Sequence, residues 1–75
     1  MNADRRKRIE EACNDIYRAV EILNEVKDEE QEAYDNLPEG IKDSDRGESM
    51  SENVSFLEDI TSNLEDLEMS LEDFL

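Results

Sequence analysis

Apolar residues recur along this chain in two long stretches at the spacing of an α-helix, separated by a short break. In the first stretch Ile9, Ile16, Leu23 and Leu37 stand seven or fourteen residues apart. A second row of Ala12, Ala19, Val26 and Ala33 follows, each three residues after a first-row position. Cys13, Val20 and Tyr34 flank it, so the stripe covers heptad positions a, d and e. Glu30 interrupts the a row, which marks either a wet position near the turn or a contact with another chain. This pattern predicts one helix from about Ala3 to Asn36, roughly 50 Å long at about 1.5 Å per residue.

In the second stretch Met50, Leu57, Leu64 and Leu71 form the a row, and Ile60, Leu67 and Phe74 the d row. Val54 and Leu75 widen the stripe, and the predicted helix runs from about Ser44 to the C-terminus. Ser44 and Ser49 both qualify as N-cap, the latter with Glu52 completing a capping box. Ser44 is preferred because Asp45 and Glu48 then occupy the positive first turn. Gly47 falls inside that turn, at a cost of about 1 kcal/mol relative to alanine.

Pro38, Gly40 and Gly47 are the only helix breakers, and all lie between the two stretches. The residue before a proline avoids the α region, so the first helix should stop near Asn36. A short connection over 37–43 makes the helices antiparallel, with Ile41 folding back over the end of the stripe. The expected fold is therefore all-α, a single coiled-coil-like hairpin over 1–75. Its core is drawn from Ile9, Ile16, Val20, Leu23, Val26, Leu37, Met50, Leu57, Ile60, Leu64, Leu67, Leu71 and Phe74. Tyr17 at b, and Ile22 and Phe56 at g, spread apolar surface further than one seam needs. That surplus predicts a homodimer forming a four-helix bundle, with Ala12, Ala19 and Ala33 permitting close approach at one seam.

Composition narrows the partners. The net charge is −15, and charged residues make up 41% of the chain against 5% aromatic. That balance would suit a disordered chain but for the periodic apolar rows. The charge repels phosphates and anionic lipids, so direct binding to nucleic acid or membrane is not expected, and the partner surface should be basic. Met1 to Arg8 is basic like the start of a signal peptide, but no apolar run follows it, and the one cysteine forms no internal disulfide. The expected location is cytoplasmic. Arg5, Arg6, Lys7 and Arg8 sit at a helix N-terminus, which the dipole disfavours. Antiparallel pairing is expected to bring them beside Glu72 and Asp73.

The triplet Leu-Glu-Asp recurs from Leu57, Leu64 and Leu71. Each leucine faces inward and each acid pair outward, which makes a ridge of Glu58, Asp59, Glu65, Asp66, Glu72 and Asp73, with Glu68 beside it and Met69 in its middle. No lysine or arginine follows Arg46, so the ridge has no local counter-charge. Two readings fit: a strip that docks in a basic groove, or a solvated face that keeps the chain soluble. No chemistry is expected. There is no histidine to activate Cys13 or a serine. The run Asp43 to Glu48 resembles a calcium loop only in outline, since Val54 stands where the bidentate glutamate belongs. No enzyme activity, cofactor or resident metal is anticipated.

Asp28-Glu29-Glu30-Gln31-Glu32-Ala33-Tyr34-Asp35-Asn36-Leu37-Pro38-Glu39-Gly40-Ile41, with Asp45-Arg46-Gly47-Glu48, carries a resemblance. It is similar to uncharacterised short acidic helical-hairpin proteins of phages, prophages and mobile elements of low-GC and gut bacteria. The likeness covers nearly the whole chain and is most specific at the turn. It implies a helical hairpin of phage or mobile-element origin and carries no activity or site residues. The functional expectation is an inhibitor or modulator of a basic, nucleic-acid-binding host protein such as a defence factor, contacted through the acidic ridge as a DNA mimic. The alternative is a structural or adaptor hairpin that binds through its apolar stripe.

Overall fold

The structure, a computed structural model, describes every residue from Met1 to Leu75. Three helices follow in order: α1 (Ala3–Asp35), α2 (Glu39–Lys42) and α3 (Asp45–Phe74). α1 and α3 lie side by side in a rod of 59 × 14 × 13 Å. Residues far apart in sequence meet along it, as Glu30 meets Asn53 and Tyr17 meets Met69, and this makes the pair antiparallel.

Local chemistry accounts for the ends. Asn2 caps α1, its side-chain oxygen accepting from the Arg5 amide at 2.8 Å. Ser44 takes the extended backbone of an N-cap, with Asp45 and Glu48 in the first turn of α3. Its hydroxyl, however, donates backwards to the Ile41 carbonyl instead of capping α3. The connection expected as a plain turn over 37–43 holds the four-residue α2. Pro38 lacks an amide hydrogen and so suits a helix start. Its carbonyl accepts from the amides of Ile41 at 2.8 Å and Lys42 at 3.1 Å. The Lys42 ammonium lies 5.6 Å from the centre of the Tyr34 ring and 3.5 Å from Glu39, tying the turn to α1. Ile41 itself stays 38% exposed, so it covers the stripe end only in part.

Gly47 is buried where α3 passes the end of α2. A Cβ built there would lie 2.1 Å from the Lys42 carbonyl oxygen and 2.6 Å from its carbonyl carbon. The glycine is thus required by backbone approach, which offsets its weak helix propensity.

The seam between α1 and α3 is narrower than the apolar stripe and turned to one side of it. Along α1, and at Leu37 just after it, the residues shielded in the seam are Ile9, Cys13, Ile16, Val20, Leu23, Lys27, Glu30, Tyr34 and Leu37, with Asn24 half-covered at the edge. Along α3 they are Gly47, Met50, Val54, Leu57, Thr61, Leu64, Glu68 and Leu71. Both series step alternately by three and four, the seam of an antiparallel coiled coil, and both use heptad positions a and e. The d row is left aside. Val26, Leu67 and Phe74, expected in the core, are 43%, 60% and 64% exposed. Ala12 and Ala33 are exposed, while Ala19 and Ile60 are half-covered at the seam edge. A helix buries a stripe only about as wide as its partner covers, so one edge of an a/d/e stripe must stay open. Glu30, the interruption in the a row, is half-buried and accepts from the Asn53 side chain at 3.0 Å.

The basic cluster does not do what was expected of it. Arg8 pairs with Asp4 of its own helix at 3.3 Å, and no ion pair links α1 to α3. The Glu30–Asn53 pairing sets Ile9 level with the end of α3, so Arg5 to Arg8 extend beyond Phe74 and miss Glu72 and Asp73. The core is thin: only five of 75 residues are buried, among them Cys13, Val20 and Val54.

Candidate binding surfaces

Opposite chain directions put equivalent heptad edges of the two helices on the same side of the hairpin. The d and g positions of both helices form one long flank, and the b and f positions the other. The two flanks differ sharply in charge. On the d/g flank α3 contributes Arg46, Ser49, Asn53, Phe56, Ile60, Asn63, Leu67, Ser70 and Phe74, with no carboxylate. On the same flank α1 contributes Ala12, Ala19, Ile22, Val26 and Ala33, with Asp15 and Glu29 the only acids. Ile22 is 52% exposed and Phe56 65%. On a chain of net charge −15, this flank stands out as nearly free of acid.

The b/f flank is acidic. It carries Glu10, Glu21, Asp28, Asp35, Glu48, Glu58, Glu65 and Glu72. The ridge residues Glu58, Asp59, Glu65, Asp66, Glu72 and Asp73 are all exposed, and their c-position members look straight out from the rod. Glu68, expected beside the ridge, turns instead into the seam and is half-buried. Its carboxyl is raised above the usual value, first by a hydrogen bond with Glu72, then by burial, then by the charges of Glu72 and Glu65.

Across this flank Tyr17 and Met69 stand over Val20, with Glu65 and Glu68, around a cleft of about 250 Å³. The periodicity showed Tyr17 and Met69 off the main stripe but could not pair them, since 52 residues separate them. Cys13 lies below in the seam. Burial pushes its thiol up, helped by Glu68, Glu72 and Glu10, so it is a poor nucleophile. No group of three His, Cys, Asp or Glu side chains is placed to hold a metal ion. No helix is long and apolar enough to cross a membrane. Comparison with known proteins returns no matching family model, no matching curated relative and no matching solved structure.

Proposed function

We propose that the chain is a protein-binding homodimer: two hairpins join through their d/g flanks into a four-helix bundle and present carboxylates outward to a basic host protein. The observation that carries this reading is the sorting of charge, with an apolar flank nearly free of acid on one side and an unneutralised acidic surface on the rest. The exposed area supports a second copy as the occupant. The hairpin exposes 5677 Å², against about 4,700 Å² for a compact monomer of its mass. The excess, about 1,000 Å², is close to the roughly 800 Å² each partner buries in a standard interface. A second copy also brings the same flank, whose only acids are Asp15 and Glu29, so pairing buries few charges.

The outward ridge of Glu58, Asp59, Glu65, Asp66, Glu72 and Asp73 then repeats along both copies. Carboxylate pairs about 10.5 Å apart along a helix present a regular negative strip to a groove built for phosphates. The partner proposed is a nucleic-acid-binding protein, and the action inhibition by occupancy. The resemblance to phage and mobile-element proteins supports a host defence factor as the target and the bacterial cytoplasm as the place.

Sedimentation equilibrium tests the assembly. The expected mass is about 17 kDa, twice the 8.7 kDa of one chain. Leu67→Glu, at an exposed flank position, should return it to one chain while helicity persists. A wild-type monomer at 100 µM would refute the assembly. Reversal of the ridge to lysine should abolish capture of the basic partner and leave the dimer intact. A second reading, an adaptor that receives a foreign helix on the d/g flank, is favoured by the exposed Phe56, Leu67 and Phe74. It predicts complexes indifferent to salt, whereas the charged mode weakens steeply with ionic strength.

A further inference from the structure

The cleft on the b/f flank lies on the side of the hairpin away from the proposed dimer surface, so assembly leaves it open. Its apolar lining is Val20, Tyr17 and Met69. Neither Tyr17 nor Met69 serves the seam: they are 59% and 58% exposed. Two carboxylates, Glu65 and Glu68, complete it. At about 250 Å³ it falls below the roughly 300–1,000 Å³ of small-molecule sites, which suits one side chain better than a free ligand. An aromatic face, a flexible thioether and paired acids together select a cation on an apolar stem. Between the two cationic side chains, the planar guanidinium both stacks on a ring and takes a carboxylate in a forked hydrogen bond.

We propose that this cleft is the anchoring subsite for one arginine side chain of the basic partner, stacked on Tyr17 with its head between Glu65 and Glu68. The proposal rests on the reading of a basic partner and adds a local anchor to what is otherwise diffuse charge attraction. Diffuse attraction falls off beyond about 8 Å at physiological salt, whereas a seated side chain keeps its contacts.

The test is an NMR titration of the full chain at physiological salt with N-acetyl-arginine N-methylamide, a probe with one cation, followed at the Met69 methyl and the Tyr17 ring. Saturable shifts at both are expected. Tyr17→Ala should weaken binding about three- to ten-fold, Tyr17→Phe should leave it within two-fold, and Glu25→Gln, at an exposed acid outside the cleft and the ridge, should have no effect. The lysine analogue should bind more weakly than arginine. Circular dichroism should show the helices intact in each of these exposed substitutions. Small shifts spread evenly over the ridge, or equal losses in Tyr17→Ala and Glu25→Gln, would overturn the cleft while leaving the acidic surface as a binder. If neither this probe nor hexa-arginine bound anywhere, the basic-partner reading would fall with it.

Discussion

Replacing Gly47 with alanine sets two physical effects against each other. Intrinsic propensity favours the change, since alanine is better than glycine inside a helix by about 1 kcal/mol. Packing opposes it. The new methyl would sit 2.1 Å from the Lys42 carbonyl oxygen and 2.7 Å from the Lys42 Cα, both backbone atoms that no rotamer change can move. Carbon and oxygen in ordinary contact stay beyond about 3.4 Å, so α2 must move away from α3 by more than an ångström. Overpacking of this kind costs typically 1–3 kcal/mol and here lies at or above the upper end. After the propensity gain, a net loss of about 2 kcal/mol is expected. That corresponds to a fall in melting temperature of roughly 8–16 °C for a chain of this size. The assay is urea and thermal unfolding followed at 222 nm. Gly40→Ala is the control, because nothing lies within 4 Å of a Cβ there. It should be neutral or stabilising by up to about 1 kcal/mol. If Gly47→Ala proved as stable as the parent or more so, the close passage of α2 against α3 would be refuted.

Two further perturbations follow from polar groups turned into the seam. Glu68 holds its proton more tightly in the folded chain than in the unfolded one. The folded state therefore gains stability as pH falls through its raised value toward the ordinary 4.5, and loses it as pH rises. The melting temperature should be higher at pH 5 than at pH 7. Relief of the −15 charge acts in the same direction, so the decisive measurement is Glu68→Gln, which should flatten part of this dependence; an unchanged profile would contradict it. Thr61 is 5% exposed and its hydroxyl oxygen finds no hydrogen-bond partner. Thr61→Val keeps the shape and removes the orphan, so a gain of about 1 kcal/mol in urea unfolding is expected, and a loss would show that the hydroxyl is bonded after all.

Much of this molecule is determined locally. Heptad spacing is an angular property of one helix, so the long helices and the inward a rows through Ile16 and Leu64 follow from the residues themselves. The break at Pro38 and the first-turn acids after Ser44 also rest on near neighbours. The three-residue spacing of Val26, Leu67 and Phe74 from the a rows made them equal candidates for the core beside Val20, while Cys13 and Val54 read only as flanks of the stripe. Only the placement of the second helix decided between them, because a narrow seam buries one edge of a wide stripe and exposes the other. The same holds for Gly47, whose penalty as a helix residue was visible while the carbonyl that demands it came from α2. It holds again for Tyr17 and Met69, which no pattern links until α1 and α3 run side by side in opposite directions.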